Sequence, residues 1–156
     1  MKADPRQRPS WDIYFMDIAH VVARRSNCLR RQVAALIVKD TRVISTGYNG
    51  TPRGVRNCFE GGCPRCSGTA PSGKDLSECL CSHAEENAIT QAACHGIAVG
   101  GAAIYSTMSP CLQCAKMIIN SGVREVIYEN EYEFHEVTKS ILSEAGVRYR
   151  KLQRPE

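Results

Sequence analysis

The stretch that decides the fold reads C-L-C-S-H-A-E-E-N-A-I from Cys79 onward and M-S-P-C-L-Q-C up to Cys114. His83, Cys111 and Cys114 offer one imidazole nitrogen and two thiolate sulfurs, a ligand set that suits tetrahedral zinc. Three protein ligands leave a fourth position open, which distinguishes catalytic zinc from structural zinc. Water at that position ionises near pH ~7 instead of ~15.7. The stretch therefore predicts a catalytic zinc ion.

Glu85 follows His83 by two residues and is the natural proton shuttle of such a site. If a helix begins here, its carboxylate faces the open position without entering the coordination shell of the metal. The combination H-x-E … P-C-x-x-C is a signature of zinc-dependent nucleobase deaminases. A C-x-x-C pair alone would fit a redox site or half of a zinc knuckle. Because both halves are present, a purely structural zinc site is the less favoured interpretation.

Length and composition indicate one domain. A chain of 156 residues suits a single hydrophobic core, so we predict one deaminase domain spanning residues 1–156. Residues 1–9 are polar, contain two prolines and lack the apolar core of a signal peptide, which predicts a loose tail. No apolar run approaches the ~20 residues of a membrane span. We therefore expect a cytoplasmic protein with no membrane partner.

The net charge of +4, from 20 basic and 16 acidic residues, is mild. It neither demands nor excludes a nucleic-acid partner, and it would suit an anionic small molecule. Nine cysteines are many for this length, and an odd number argues against a closed disulfide framework. In a reducing compartment, clustered cysteines more often indicate metal binding.

Apolar periodicity predicts helices that alternate with strands. The predicted helices cover residues 10–25, 83–95, 110–122 and 134–145, and the predicted strands cover residues 33–38, 43–48, 102–107, 125–128 and 147–152. Strand-helix-strand alternation after an opening hairpin implies a mixed five-stranded sheet with helices on both faces, an α/β/α sandwich of three layers. Both halves of the zinc motif then lie at helix N-termini, where backbone N–H groups favour thiolate and developing negative charge.

Residues 49–82 form a long insertion that is rich in Gly, Pro, Ser and Cys. A loop of this length is uncommon in a compact domain unless it is functional or cross-linked. Its five cysteines, together with Cys28, predict a second, structural zinc ion that stabilises the insertion. Free thiols in a reducing cell are the alternative. Spacing alone does not choose the four ligands.

Four stretches resemble the cytidine deaminase superfamily and, within it, the deoxycytidylate (dCMP) deaminases. They are A-R-R-S-N-C ending at Cys28, G-Y-N-G-T-P-R-G from Gly47, H-A-E-E-N-A-I from His83 and S-P-C-L-Q-C-A-K-M-I-I-N-S-G from Ser109. The resemblance covers residues 11–152. The zinc motif marks only the superfamily, whereas the first two stretches narrow the resemblance to the dCMP deaminases.

The resemblance implies roles for individual residues. It implies zinc ligation by His83, Cys111 and Cys114, proton transfer by Glu85, a sugar contact from Asn49, a 5′-phosphate contact from Arg25, an aromatic near the base at Tyr132, and backbone contacts to the base at Ala84 and Ser109. Three of these have plainer interpretations. Arg25 suits a helix C-terminus, Asn49 suits a turn, and Tyr132 suits a surface.

For the second zinc ion, the resemblance implies the ligands Cys28, Cys58, Cys63 and Cys79. Cys66 and Cys81 are the substitutes in this prediction. The implied site would connect the end of the first helix to the insertion.

The implied reaction is the hydrolysis of dCMP to dUMP and ammonia, which would supply dUMP for thymidylate synthesis. Three alternatives stay open. A tRNA adenosine deaminase would show a stronger basic surface, a free cytidine or cytosine deaminase would lack a phosphate site, and a non-catalytic zinc-stabilised binding module would have no use for Glu85. We expect a nucleotide ligand, no nucleic-acid partner and a homo-oligomer, with control by dCTP and dTTP left open.

Overall fold

A mixed sheet of five strands organises the computed structural model, which describes residues 7–72, 74–133 and 135–155. Residues 1–6 of the predicted tail lie outside the described residues. The helices are α1 (Trp11–Ala23), α2 (Pro64–Ser67), α3 (Ala84–Cys94), α4 (Leu112–Asn120) and α5 (Glu136–Glu144), and the strands are β1 (Ala34–Lys39), β2 (Arg42–Tyr48), β3 (Ala103–Met108), β4 (Glu125–Asn130) and β5 (Arg148–Lys151). No helix in the described ranges has the length and apolar content needed to cross a membrane.

The strand order is β2-β1-β3-β4-β5. β1 pairs antiparallel with β2 and with β3, whereas β3 with β4 and β4 with β5 are parallel pairs. The parallel half requires helical crossovers, which α4 and α5 provide. This arrangement confirms the predicted mixed sheet with helices on both faces.

The two faces of the sheet are covered unequally. Alternate residues of β1 point to opposite sides, so Leu36 packs with Phe15 and Met16 of α1, and Ile37 belongs to the core that α3, α4 and α5 cover. The α3 face is lined with small side chains, chiefly Ala84, Ala88 and Ala92. Small residues let this helix lie close to the sheet.

Gly47 in β2 is required by this close approach. A Cβ atom at Gly47 would lie 2.2 Å from the Ala84 carbonyl oxygen and 2.4 Å from the Ala88 nitrogen. Both contacts are with backbone, which cannot move aside as a flexible side chain can. The position therefore admits only glycine while α3, which carries half of the metal motif, stays in place.

The helix boundaries differ from the predicted ones by one or two residues, and the difference at the start of α4 changes the role of Cys111. The helix predicted to begin at Pro110 begins instead at Leu112, because Cys111 has extended backbone (φ −74°, ψ 169°) and is the N-cap. The Cys111 sulfur accepts the N–H of Cys114. The proline therefore precedes the cap, and the cysteine takes the place of the usual oxygen-bearing capping residue.

The insertion of residues 49–82 is closed at its base by an isolated antiparallel bridge. The N–H of Gly50 donates to the Ser82 carbonyl at 3.1 Å, and the N–H of Ser82 donates back to Gly50 at 2.8 Å. Between these ends the chain forms α2 and two short 3₁₀ turns. The six cysteines of the insertion and of the segment after α1 are the only members of the local apolar cluster among the described residues: Cys28, Cys58, Cys63, Cys66, Cys79 and Cys81.

Candidate metal centre and substrate cavity

His83, Cys111 and Cys114 converge at the N-termini of α3 and α4. His83 is the N-cap of α3, and its Nδ1 lies 3.3 Å from the Cys111 sulfur and 3.5 Å from the Cys114 sulfur. The backbone N–H of His83 donates to the Glu86 carboxylate at 3.1 Å, which fixes the start of the helix. The three ligand atoms therefore meet where two helix N-termini face each other.

These distances fit a tetrahedral metal ion. With zinc–sulfur bonds of ~2.3 Å and zinc–nitrogen bonds of ~2.05 Å, the edge between a nitrogen and a sulfur ligand is about 3.5 Å. The sulfur-rich donor set suits zinc. The hydrogen bond from Cys114 lowers the pKa of Cys111 to about 4, so one thiol of the pair is a thiolate at neutral pH. The residues present therefore fit the zinc ion that the motif predicts.

Glu85 lies in the first turn of α3, two residues after the metal ligand His83, and its exposed fraction is only 4%. Burial raises the pKa of its carboxyl above the ordinary value, although the nearby imidazole of His83 acts in the opposite direction. The hydroxyl of Ser106 in β3 donates to Glu85 Oε1 at 3.0 Å. The carboxyl is thus dry and held in one orientation, and its burial favours the protonated form.

A cavity of about 260 Å³ opens beside the metal ligands. Its lining includes His83, Ala84, Glu85, Cys111, Ser109, Asn49 and Tyr132, together with Arg30, Arg31 and Arg65. The cavity therefore brings the metal ligands and Glu85 together with a cationic wall. A cavity of this size admits a small molecule.

Arg25 does not line this cavity. It is an exposed residue just beyond the end of α1, whereas three other arginines reach the cavity wall. Two of the three are engaged in structural hydrogen bonds: Arg30 donates to the Cys66 and Ala70 carbonyls, and Arg65 donates to the Pro71 carbonyl.

Arg31 differs from these neighbours in its partners. Among the described residues, its guanidinium donates to two uncharged side chains, the Met108 sulfur at 3.5 Å and the Ser72 hydroxyl at 3.2 Å, and to no backbone carbonyl. The guanidinium also lies over the ring of Tyr132, 5.3 Å from its centroid. This cation–π contact holds a positive charge at the cavity wall.

The side chain of Asn49 is held in position by three hydrogen bonds within the protein. Its Oδ1 accepts the Val33 N–H at 2.8 Å and the Ser26 hydroxyl at 2.7 Å, and its Nδ2 donates to the Arg31 carbonyl at 2.8 Å. An amide nitrogen carries two hydrogens, so one further donor exists at this cavity residue. The same bonds fix the loop that presents Arg31.

Ser109 is fully buried, and its hydroxyl accepts the Tyr132 N–H at 2.9 Å. It therefore fixes the backbone of the aromatic residue that also lines the cavity. Ala84 is the first residue of α3, where backbone N–H groups have no intrahelical partner. Burial raises the pKa of the Tyr132 hydroxyl to about 12, so that it stays protonated.

A second set of cysteines contributes to the wall of the same cavity. Cys28, Cys58, Cys66 and Cys81 have sulfurs within 4.8 Å of one another, and so do Cys63, Cys66, Cys79 and Cys81. Cys66 and Cys81 belong to both quartets. The predicted set of Cys28, Cys58, Cys63 and Cys79 is therefore divided two and two, and the predicted substitutes occupy the centre. Spacing could not reveal this because the sharing arises from how the insertion folds.

The family model for the cytidine and deoxycytidylate deaminase zinc-binding region matches residues 9–130. This chain belongs to that family. The deoxycytidylate deaminase of Schizosaccharomyces pombe is 48% identical over 151 residues, 97% of this chain and 47% of the relative. That of Saccharomyces cerevisiae is 46% identical over 146 residues, 94% of this chain and 46% of the relative. The deaminase-family chain thus spans about half the length of these two relatives.

A shorter relative is matched almost completely. The deoxycytidylate deaminase of Mycobacterium phage D29 is 43% identical over 129 residues, 80% of this chain and 98% of the relative. Among solved structures, the dCMP deaminase of cyanophage S-TIM5 in complex with dCMP and dUMP is 33% identical, with a TM-score of 0.76, covering 94% of this chain and all of that one. The predicted superfamily and fold of this deaminase-family chain are confirmed, and the family is a zinc-binding one.

Proposed function

We propose that the chain hydrolyses dCMP to dUMP and ammonia. The observation that carries the proposal is the buried Glu85 carboxyl, which lies beside the His83, Cys111 and Cys114 ligand set at a cavity with a cationic wall. The phage relative, named for this activity, is matched over nearly its whole length. The ligand set, the buried carboxyl and the cationic cavity wall are therefore all accounted for by the deamination of a nucleotide.

The protein first binds and orients the nucleotide. Ala84 and Ser109 line the cavity. In this proposal, the N–H of Ala84 binds O2 of the cytosine ring, and the carbonyl of Ser109 accepts a hydrogen bond from the exocyclic amine. Asn49, held on three sides by the protein, offers its remaining Nδ2 hydrogen to the sugar. Tyr132 supplies an apolar surface next to the base.

A zinc ion held by His83, Cys111 and Cys114 would supply the Lewis acidity that makes water nucleophilic at neutral pH. Glu85 carries the proton transfers. Its carboxylate accepts a proton from the attacking water as the C4–O bond forms, and it donates that proton to N3 of the pyrimidine. It then takes the second proton of the water from the new C4 hydroxyl group and delivers it to the C4 amino group, so that the C4–N bond breaks, ammonia leaves and C4=O forms. One residue thus acts as base and as acid.

Arg31, and not Arg25, is the proposed ligand of the 5′-phosphate. The Arg31 guanidinium lies at the cavity, is oriented by Tyr132 and Ser72, and has uncharged partners that a phosphate can replace at little cost. Arginine suits phosphate because its planar fork donates two parallel hydrogen bonds.

The cysteine-rich insertion is the proposed site of structural zinc. Among the residues that the structure describes, the local cluster of buried side chains contains cysteines and no aliphatic residue, so hydrophobic burial contributes little to its stability. Metal–thiolate bonds contribute folding free energy directly. The homo-oligomer stays a prediction, and control by dCTP and dTTP stays open; light scattering with and without each nucleotide checks both.

The function is tested by ammonia release from dCMP, deoxycytidine, cytosine and a tRNA anticodon stem-loop, measured side by side. We expect dCMP to be the strongly preferred substrate. The matched control is Glu85→Gln, which keeps the shape of the side chain and removes the proton shuttle. It should retain its zinc and its fold while turnover falls at least ~10²–10⁴-fold. Near-normal turnover by this variant would exclude Glu85 as the shuttle, and preferential release from the RNA would exclude the dCMP assignment.

A further inference from the structure

The six clustered cysteines are free, and most of them are buried. Cys58, Cys63, Cys66 and Cys81 are at most 5% exposed, and Cys28 and Cys79 are partly buried. The sulfur–sulfur distances are 3.8 Å for Cys28 to Cys66, 3.7 Å for Cys63 to Cys79 and 3.6 Å for Cys66 to Cys79. Each is far longer than a disulfide bond of ~2.05 Å. The cysteines therefore meet as separate thiols.

These distances have the length of a tetrahedral edge. Four thiolates around one zinc ion at ~2.3 Å lie about 3.8 Å from one another. The cluster offers two such tetrahedra, and both contain Cys66 and Cys81. Two tetrahedra that share two corners share an edge. This is the geometry of two metal ions joined by two bridging thiolates, with two terminal thiolates on each ion.

A single zinc ion accounts for this arrangement poorly. It would use one quartet and leave two cysteines of the other without a metal partner, either Cys63 with Cys79 or Cys28 with Cys58. Nothing in the geometry favours one quartet over the other, since the sulfurs of both lie within 4.8 Å. Two ions use all six sulfurs. Six thiolates and two divalent ions carry a net charge of −2, the same as four thiolates around one ion.

Backbone donors and cationic side chains support that negative charge. The N–H of Leu29 donates to the Cys58 sulfur at 3.5 Å, and the N–H of Leu80 donates to the Cys63 sulfur at 3.3 Å. These two sulfurs are terminal ligands in different quartets, so each proposed ion has an N–H donor to one of its terminal thiolates. Arg30 lies against the cluster through its hydrogen bond to the Cys66 carbonyl.

We propose that the insertion holds two zinc ions in one binuclear cluster, with Cys66 and Cys81 as bridging ligands. Cys28 and Cys58 complete the first ion, and Cys63 and Cys79 complete the second. With the catalytic ion, the chain then binds three zinc ions. The inference rests on the proposal that this cluster binds structural zinc, and it changes the number of ions and the role of two ligands.

The test is the zinc content of the zinc-saturated full chain, measured by native mass spectrometry and elemental analysis. We expect three zinc ions per chain in the wild type. Cys58→Ser and Cys63→Ser should each lower the content to two, because each removes a terminal ligand of a different ion. The control is Cys94→Ser, at an exposed cysteine outside the cluster, which should keep three.

A second measurement uses only the wild-type chain, so it does not require that any cysteine variant folds. In wild-type chain loaded with ¹¹³Cd, NMR should show two four-sulfur cadmium signals that are coupled to each other through the bridging sulfurs, beside one signal from the catalytic site. A single four-sulfur signal with two metal ions per chain would overturn the binuclear cluster and leave one structural ion. One metal ion per chain would overturn both the binuclear cluster and the structural zinc site. Failure of the deaminase function would appear separately, as a chain with three zinc ions that releases no ammonia from dCMP.

Discussion

Replacing Arg31 by alanine tests which arginine recognises the 5′-phosphate. A charge-assisted hydrogen bond is worth roughly 1.5–3 kcal/mol, which corresponds to about ten- to a hundred-fold in relative specificity. Arg31 is exposed at the cavity rim, so solvent screening should place the effect toward the lower end of that range. We therefore expect Arg31→Ala to lower the ratio of kcat/KM for dCMP to kcat/KM for deoxycytidine about ten-fold.

The control for this variant is Arg25→Ala, which removes another exposed arginine, one that lies outside the cavity. Both variants lower the net charge by one unit, so a general electrostatic effect would appear in both. The assay is steady-state ammonia release with each substrate at constant ionic strength. If Arg31→Ala lowered kcat/KM equally for both substrates, or if Arg25→Ala narrowed the preference instead, the phosphate would be bound elsewhere.

Two further predictions concern positioning and stability. Ser106→Ala should lower kcat about ten-fold with little change in KM for dCMP, because the hydroxyl orients Glu85. Ser45→Ala is the control: it removes a hydroxyl that donates to the same helix, and it should leave kcat unchanged. Asp12→Asn should lower the free energy of unfolding by about 1 kcal/mol in urea titrations at pH 7, because Arg150 binds this carboxylate through two nitrogens. The hydrogen bond from Arg150 lowers the pKa of Asp12, so this difference from wild type should fade as the pH falls below about 4, and a difference that persists in acid would refute the ion pair as its cause.

The sequence predicted the metal triad and Glu85 because all of them lie in two short segments with strong local signals. His83 and Glu85 share one helix start, and Cys111 and Cys114 share another. Local spacing fixes each pair, and the structure brings the two halves within hydrogen-bond distance. The alternation of helices and strands was equally accessible because apolar periodicity is a local property.

Other parts of the site depend on contacts between distant segments. Ser106 reaches Glu85 from a neighbouring strand, and nothing in the pattern around this serine marks it as a partner of the carboxyl. Arg25 and Arg31 lie in the same loop between α1 and β1, and the sequence does not reveal that α1 ends before Arg25 while the later part of this loop turns into the cavity. A signal did exist in the cysteines, since six near one loop exceed the four that one zinc ion needs.

The two proposed metal sites share one wall, which explains why the insertion is placed where it is. Cys81 lies two residues before His83, and the bridge between Gly50 and Ser82 closes the insertion next to the catalytic ligands. Cys28, Cys66, Cys79 and Cys81 line the same cavity as Glu85. The aliphatic cores of the sheet contain none of these cysteines, so the sheet holds the catalytic helices independently of the insertion. In this proposal, the sheet holds the catalytic residues in place, and metal–thiolate bonds would order the part of the cavity wall that the insertion forms.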